Sequence, residues 1–275
     1  MYPSTRPRAR LLSLLLSARL LFTASLRLQS TMSSHEINGS LRRFNTLQIG
    51  LTGSIGMGKS AVSSQLLKLG FPVFDADLAV HRLYAASGAA VEPIRNIFPD
   101  AVVDGAVDRS KLSAKIMHDP SVLKIIEGIV HPLVISERER FYHRACSEKK
   151  FLVVYDIPLL FENANRYKVD YTIVVTAAAE VQRRRVLSRP GMTEEKFEAI
   201  LAKQVPDAEK RARADFLIHT DYHGYSEAKS QLAKVLQMII ERNPELWEQW
   251  KASGMGSSQD PDGRRCCRFV ECSIQ

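Results

Sequence analysis

The chain has 275 residues, 45% of them hydrophobic and 25% charged, which is enough to bury a full core in one large domain or in a domain with an inserted subdomain. Its net charge of +8 suggests nucleic-acid binding, but residues 1–35 hold five arginines and no acidic residue, and subtracting those five leaves +3 for the rest. We therefore expect no nucleic-acid partner. The four cysteines have no disulfide or metal-ligand spacing, which indicates a reducing compartment.

The N-terminal segment is rich in Arg, Ser and Leu and lacks acidic residues, as transit peptides do. A secretory signal is the alternative, favoured by Leu11–Leu16 and opposed by Arg19 and Arg27, and the uncharged run is too short for a signal anchor. We predict a mitochondrial transit peptide over 1–31, followed by a linker over 32–45. Translation from Met32 would give a second, cytosolic form, and no transmembrane segment is expected.

Apolar runs predict buried parallel strands, and apolar residues at helical spacing predict the helices that connect them. The strands are expected at Thr46–Leu51, Pro72–Phe74, Phe151–Asp156, Tyr171–Val175 and, as a weaker pattern, Phe216–Ile218. Helices are expected at Lys59–Leu69, Ala178–Ser188, Thr193–Lys203 and Gly224–Arg242. The alternation indicates an α/β domain over 46–253.

A long helical stretch, residues 109–149, separates two of these strands. It contains Asp119-Pro120 and His131-Pro132, which we predict to be breaks where a new helix starts on the proline. Because the stretch is long for a single crossover, we predict an inserted helical subdomain. Residues 254–275 are polar and contain several glycines, which predicts a disordered tail.

A phosphate-binding loop follows the first strand and precedes a helix, which is the context that the G-x-x-x-x-G-K-[ST] motif requires. Its residues are Gly53, Ser54, Ile55, Gly56, Met57, Gly58, Lys59 and Ser60. Backbone amides of such a loop form an anion-binding nest, to which the helix N-terminus adds its dipole. Lys59 is expected to bridge the β and γ phosphates of ATP, and Ser60 to offer its hydroxyl to Mg²⁺.

The loop indicates a nucleoside triphosphate but not the reaction. A switch GTPase would need an early DxxG and an NKxD sequence, whereas here DxxG occurs only late and NKxD is absent. Large motor ATPases need a longer chain. A small-molecule kinase remains.

Acidic residues end two of the predicted strands, at the sheet edge where ligands of open parallel sheets bind. Asp75 and Asp77 are candidates to activate an acceptor hydroxyl, although Asp75 would instead cap a helix that started at Ala76. Asp156 is placed to bind Mg²⁺ through water, with a simple turn residue as the alternative.

Several motifs of the chain, in their order, resemble those of the dephospho-coenzyme A kinase family. They are GLTGSIGMGKS, VFDAD, VHPLV, YDIPLLFE, Arg185 and Arg189 before a Gly-Met-Thr turn, KQVP and EKRARADFLI. The resemblance runs from about residue 48 to 240. It implies a three-layer P-loop kinase fold with a parallel five-stranded sheet, an inserted helical substrate-binding subdomain (109–149) and a helical lid (178–205). The implied substrates are ATP and dephospho-CoA, with Mg²⁺ as cofactor and phosphate transfer to the ribose 3′-hydroxyl.

The resemblance also implies roles for particular residues. Asp77 matches the base toward the 3′-hydroxyl, with Asp75 in support, and Arg185 and Arg189 of the lid neutralise the transferring phosphate. The residues at the substrate cleft are implied to be His131, Pro158, Leu159 and Glu162, of which Glu162 has a structural role as its alternative. We expect Gln182, Arg183 and Arg184 to form a solvated face of the lid helix.

The chain departs from the family pattern at two places. In the loop, Ser54 and Met57 replace a glycine and a serine at x positions, so we expect the cradle to survive, although Met57 removes a hydroxyl near the phosphates. After β7, Ile218-His219-Thr220-Asp221 lacks the asparagine usual near the adenine. Two alternatives stay open: another small-molecule or nucleoside monophosphate kinase of this fold, and a catalytically silent nucleotide-binding regulator. The presence of Lys59, Ser60 and Asp77 argues against the silent regulator.

The C-terminal Cys272-Ser273-Ile274-Gln275 fits a C-a-a-X prenylation motif with a second, basic and cysteine-containing signal just upstream. Prenylation is cytosolic and conflicts with mitochondrial import unless Met32 starts the chain. We therefore favour a coincidental ending over a lipid anchor at Cys272.

Overall fold

The computed structural model describes residues 45–162, 167–221 and 225–253, without the side chains of Tyr225 and Ser226. The transit peptide, the Met32 start, nearly all of the linker, the tail and Cys272 lie outside the described residues. What the sequence indicates about them stays a prediction.

Seven strands and ten α-helices make up the described part of the chain. The strands are β1 Leu47–Thr52, β2 Val73–Asp75, β3 Val102–Val103, β4 Ala106–Val107, β5 Leu152–Asp156, β6 Tyr171–Thr176 and β7 Phe216–His219. The helices are α1 Lys59–Lys68, α2 Ala76–Tyr84, α3 Val91–Ile97, α4 Arg109–His118, α5 Ser121–Ser147, α6 Ala179–Leu187, α7 Glu194–Leu201, α8 Asp207–Ala212, α9 Tyr225–Arg242 and α10 Pro244–Ala252.

Five strands form one parallel sheet in the order β2-β5-β1-β6-β7, and β3 and β4 form a separate antiparallel pair. All five strands predicted from the apolar runs are therefore confirmed, including the weak one at β7. In the sheet register, Asp156 of β5 lies between Leu51 of β1 and Asp75 of β2. The carboxyl ends of these strands meet at one edge, which is where the motif residues come together.

Helices cover both faces of the sheet, because alternate residues of the buried strands point to opposite sides. Val153 and Tyr155 of β5 pack against α2, α3, α4 and α5. Leu152 and Val154 of the same strand pack in a second cluster with α1 and α9. The result is the three-layer α/β fold that the sequence predicts.

Helix α5 contradicts the predicted break at His131-Pro132, because it runs without interruption for 27 residues with Pro132 inside it. Proline inside a helix removes one hydrogen bond and costs about 3 kcal/mol. Val122, Ile126, Val130 and Val134 recur every four residues and are all buried in one cluster, so a single apolar face continues across the proline. We attribute the continuity to this packing, which local sequence rules do not include.

The other predicted break, at Asp119-Pro120, is confirmed, since α4 ends at His118 and α5 begins at Ser121. The Asp119 carboxylate accepts a hydrogen bond from the Ser121 amide at 2.9 Å. Among the described residues, no helix combines the length and apolar character needed to cross a bilayer.

Candidate active site

The phosphate-binding loop connects β1 to α1 and needs glycine for two reasons. Gly56 and Gly58 have φ of +79° and +88°, a region that side chains other than glycine rarely adopt. A β-carbon on Gly53 would also lie 2.5 Å from the Val175 carbonyl oxygen, and one on Gly58 would lie 3.0 Å from Thr220 Oγ1. The loop is therefore shaped by its neighbours as well as by its own dihedral angles.

The backbone amides of the loop divide into those already bonded and those open to a ligand. The Ile55 amide donates to Gln204 Oε1 at 3.1 Å, and the Met57 amide donates to the Ser54 carbonyl at 3.2 Å. Within the described residues, no protein acceptor is seen for the amides of Gly56, Gly58, Lys59 and Ser60. These four amides are the candidate anion donors, so the predicted contribution of Ile55 cannot come from its amide in this arrangement.

The side chain of Met57, expected from the sequence only to remove a hydroxyl near the phosphates, packs inside the protein. It is 2% exposed, and its sulfur accepts a hydrogen bond from the Ala177 amide at 3.1 Å. The replacement of serine by methionine therefore changes core packing behind the loop and leaves the anion-binding side to the backbone.

Lys59 and Asp156 form an ion pair at the carboxyl edge of the sheet, Lys59 Nζ with Asp156 Oδ1. The Asp156 side chain is only 5% exposed, so the ammonium group supplies the charge compensation that a buried carboxylate needs. Ser60, the next residue after Lys59, is exposed. The structure thus brings Lys59 and Asp156, two predicted site residues, into direct contact.

The acid pair Asp75 and Asp77 has unequal surroundings. Asp75 is the N-cap of α2, where its Oδ1 accepts a hydrogen bond from the Leu78 amide at 2.8 Å. The capping alternative for Asp75 is therefore confirmed. Asp77 lies in the first turn of the same helix, where part of its surface is open to solvent and part is covered by protein.

The charges that act on Asp77 include those of Lys59 and Asp156, the ion pair at the carboxyl edge of the sheet. Partial burial raises the pKa of Asp77, and the charges of Asp75 and Asp156 raise it further, while Lys59 and Arg109 lower it. The net pKa lies above that of an ordinary aspartate. Sequence reasoning did not single out Arg109, whose only local signal is its position as the first residue of α4.

The segment after β5 carries three predicted substrate residues with different surroundings. The Pro158 carbonyl accepts a hydrogen bond from Thr52 Oγ1 at 3.1 Å, which ties the segment to the end of β1. Leu159 is 41% exposed. Glu162 is mostly buried, pairs with Lys210 Nζ at 2.9 Å and accepts from the Val205 amide at 2.8 Å. These contacts support the structural alternative for Glu162, while its substrate role stays a prediction.

Removal of the Glu162 carboxylate should strongly destabilise the protein, because Lys210 is fully buried beside it. We expect Glu162→Ala to lower the free energy of unfolding by about 3–5 kcal/mol, the usual cost of leaving a buried charge unpaired. The double variant Glu162→Gln/Lys210→Met should lose much less. Urea denaturation of both proteins measures this, and equal losses would contradict the pairing.

The two arginines of the predicted lid also differ. Arg185 of α6 donates from Nη1 to Thr220 Oγ1 at 2.9 Å and from Nη2 to the Thr220 carbonyl at 2.7 Å. Thr220 Oγ1 in turn donates to the Met57 carbonyl at 2.8 Å, which connects Arg185 to the back of the phosphate-binding loop. Arg189, one turn further along the chain, is exposed.

One prediction for the lid helix is wrong. Gln182 is buried rather than solvated, and its Nε2 donates to the Ile55 carbonyl at 2.7 Å. Arg183 and Arg184 are exposed as expected. The spacing of four residues between Gln182 and the buried Val186 is a helical signal that could have revealed the difference.

The two remaining predicted features, His131 and the residues after β7, have different surroundings. His131 is partly buried on α5, and its substrate role stays a prediction from the resemblance. The unusual residues after β7 have structural contacts, since Asp221 Oδ1 accepts from the Ala178 amide and Thr220 binds the Met57 carbonyl. Asp221 thus joins the end of β7 to the residue that precedes α6, and Thr220 joins it to the phosphate-binding loop.

The glycine-rich loop joins a strand to a helix, and its lysine lies beside an acid at the carboxyl edge of a five-stranded parallel sheet. These features define an α/β P-loop phosphotransferase. A family model described as dephospho-CoA kinase matches residues 47–224, more than half of the chain. A dephospho-CoA kinase of Mesorhizobium japonicum is 52% identical over 191 residues, which cover 70% of this chain and 95% of that relative. The chain belongs to the dephospho-CoA kinase family.

Other relatives agree with this assignment. A dephospho-CoA kinase of Novosphingobium aromaticivorans is 50% identical over 196 residues, covering 71% of this chain and 96% of the relative. A crystal structure of a Thermus thermophilus protein is similar with a TM-score of 0.61 at 34% identity, over 71% of this chain and 98% of the other. The dephospho-CoA kinase of Campylobacter jejuni, at 24% identity and a TM-score of 0.53 over 71% of this chain and 98% of its own, supports the fold.

Proposed function

We propose that this protein transfers the γ-phosphate of ATP to the ribose 3′-hydroxyl of dephospho-CoA, the last step of coenzyme A biosynthesis. The observation that carries the proposal is the arrangement at the carboxyl edge of the sheet, where Asp77 lies in the first turn of the helix that follows β2 and Lys59 of the phosphate-binding loop contacts Asp156 of the neighbouring strand. A kinase needs this combination of a phosphate cradle and an acid that accepts the proton of the acceptor hydroxyl. The names of the most similar relatives support dephospho-CoA as the acceptor.

The phosphates of ATP would bind to the free amides of the loop and to the first turn of α1. No side chain of the described residues caps that turn, and it contains no acidic residue, so its amides are available to an anion. Lys59 would exchange its bond with Asp156 for phosphate oxygens.

The residues present fit a magnesium ion that is held mainly by the nucleotide. The described ranges contain no cluster of three or more His, Cys, Asp or Glu side chains that could hold a metal. Mg²⁺ typically binds one or two protein groups together with substrate phosphates and water. Ser60 and Asp156 are the protein groups that would hold it, and when bound the ion would neutralise charge on the phosphates.

Asp77 would accept the proton of the 3′-hydroxyl as the bond to phosphorus forms. Arg185 and Arg189 lie on the segment that forms the predicted lid. The exposed Arg189 would offset the charge of the transferring phosphoryl group, and Arg185 would do so after exchanging its bonds with Thr220. Closure of this segment would exclude water, which otherwise competes with the acceptor for ATP.

The direct test is a coupled assay of ADP formation by the purified protein with ATP and dephospho-CoA. We expect acceptor-dependent turnover and a product whose mass and phosphorus spectrum show a new 3′-phosphate. The same assay with nucleoside monophosphates is the control. Faster turnover of a nucleoside monophosphate would overturn the proposed acceptor, and no turnover with any acceptor would favour a silent nucleotide-binding protein.

The raised pKa of Asp77 predicts that, on acidification, the enzyme loses activity at a higher pH than it would with an ordinary aspartate as base. The base must be deprotonated, and a raised pKa keeps the inactive protonated form populated to a higher pH than for an ordinary aspartate. We therefore expect kcat/KM for dephospho-CoA to decline on acidification from that higher pH. In Asp75→Asn the decline should move to lower pH, because the charge of Asp75 raises the Asp77 pKa. An unchanged profile in Asp75→Asn would argue against Asp77 as the titrating base.

A further inference from the structure

Both backbone polar groups of one residue in the phosphate-binding loop are held by glutamine side chains from the lid region. The Ile55 amide donates to Gln204 Oε1 at 3.1 Å, and the Ile55 carbonyl accepts from Gln182 Nε2 at 2.7 Å. Since an amide can only donate and a carbonyl can only accept, these contacts also fix which way each glutamine amide is turned.

The two glutamines lie on either side of the lid segment. Gln182 is on α6, before the turn at 188–193, and Gln204 follows α7. Gln182 is 6% exposed, so its side chain is held in one place by its surroundings. Residues 188–203 connect α6 to Gln204. This stretch is therefore attached to Ile55 on both sides, through Gln182 of α6 before it and through Gln204 after it.

Close packing reinforces the attachment at α6. A β-carbon on Gly56 would lie 2.5 Å from Val186 Cγ2 and 3.1 Å from the Gln182 carbonyl oxygen. The helix therefore lies directly against the residue that follows Ile55, and no space is left for the loop to shift toward it.

The orientation of the Ile55 carbonyl determines the orientation of the next amide. In a trans peptide the C=O and the following N–H point in opposite directions, and the described chain contains no cis peptide. Because the Ile55 carbonyl points to Gln182, the Gly56 amide points away from α6. The Gly56 amide is one of those without a protein acceptor among the described residues.

We propose that Gln182 and Gln204 are positioning residues that clamp Ile55 and thereby direct the Gly56 amide toward the phosphates of bound ATP. The proposal rests on the proposed function in taking ATP as the ligand. It assigns to the two ends of the lid segment a role in forming the nucleotide site in addition to covering it.

The test replaces each glutamine by methionine, which has a similar length but forms no comparable hydrogen bond. We expect Gln182→Met and Gln204→Met each to raise the calorimetric Kd and the KM for ATP about five- to tenfold, the effect of one lost hydrogen bond. The KM for dephospho-CoA should stay unchanged. Since both side chains hold one residue, the double variant should show less than the product of the two single effects.

Gln237→Met is the matched control, because Gln237 bonds to Glu241 within α9 on an exposed surface. It should bind ATP like the wild type. A lower melting temperature in the clamp variants with unchanged Kd and KM for ATP would overturn the proposal, as would equal increases in the KM of both substrates. If Gln182→Met proves too unstable to purify, Gln204→Asn, whose amide is one methylene too short to reach Ile55, gives the same test on a partly buried side chain.

Direct binding measurements keep this proposal separate from the proposed function. A wild type that binds ATP but does not phosphorylate dephospho-CoA would refute the proposed acceptor. The positioning role of Gln182 and Gln204 would still be tested by the change in ATP affinity.

Discussion

Replacement of Asp77 by asparagine should lower kcat by at least about a hundredfold, the lower range for loss of a general base, and leave the affinity for ATP within about twofold. The amide has nearly the same shape but cannot accept the proton of the acceptor hydroxyl. Because Asp77 lies outside the phosphate-binding loop, nucleotide binding should continue. Steady-state kinetics with dephospho-CoA and calorimetry with ATP measure the two effects separately.

Asp75→Asn is the matched control, since asparagine caps helices about as well as aspartate. Its kcat should stay within a fewfold of the wild type. If Asp75→Asn lost as much activity as Asp77→Asn, or if Asp77→Asn kept near-normal turnover, Asp77 would not be the base.

The thermal stability of Asp77→Asn shows whether this variant is correctly folded. A carboxylate whose pKa is raised on folding stabilises the folded state only at low pH, and this contribution is lost as the pH rises through the folded pKa. At neutral pH the ionised Asp77 is therefore unfavourable to folding. We expect the asparagine variant to have about the same melting temperature as the wild type, and this result would show that misfolding does not cause its low activity.

The second large effect is expected for Lys59→Met, which should lower kcat/KM for ATP by about a hundred- to a thousandfold, as for loss of a positioned charge that stabilises the transition state. The side chain lies at the start of α1, where its ammonium group can reach the phosphates. Unlike Asp77→Asn, this variant should also weaken ATP binding. Steady-state kinetics at varied ATP, with dephospho-CoA saturating, gives the measurement.

Lys59→Met has a second consequence, because it leaves Asp156 buried without its partner. The variant should unfold at a lower temperature, and adding Asp156→Asn should restore much of that stability without restoring activity. Recovery of activity in the double variant would mean that Lys59 acts only by neutralising Asp156.

The sheet and the reactive residues were predictable because their signals are local. Each buried strand is a short apolar run, and the phosphate-binding loop is a contiguous motif whose context can be checked a few residues away. Asp75 ends a strand and Asp77 lies two residues further on, so parallel-sheet geometry alone places them at the ligand edge. The cap formed by Asp75 is likewise a short-range interaction.

The features that sequence reasoning missed depend on residues far apart in the chain. Gln182 is 127 positions from the Ile55 carbonyl that it binds, and a solvated face was the natural inference from its arginine neighbours. Pro132 stays inside a helix because a continuous apolar face packs against the other helices of its layer. Lys210 is charged and fully buried, and only the fold shows that Glu162 is beside it.

The burial of Met57 bears on how phosphate-binding motifs should be compared between proteins. Its position is conventionally written as x, yet its side chain is 2% exposed and touches the chain after β6. Ile55, another x position two residues earlier, uses both backbone groups to bind Gln182 and Gln204. Variation at such positions therefore records which structural elements surround the loop in a given family, and changes there should be read together with changes in those elements.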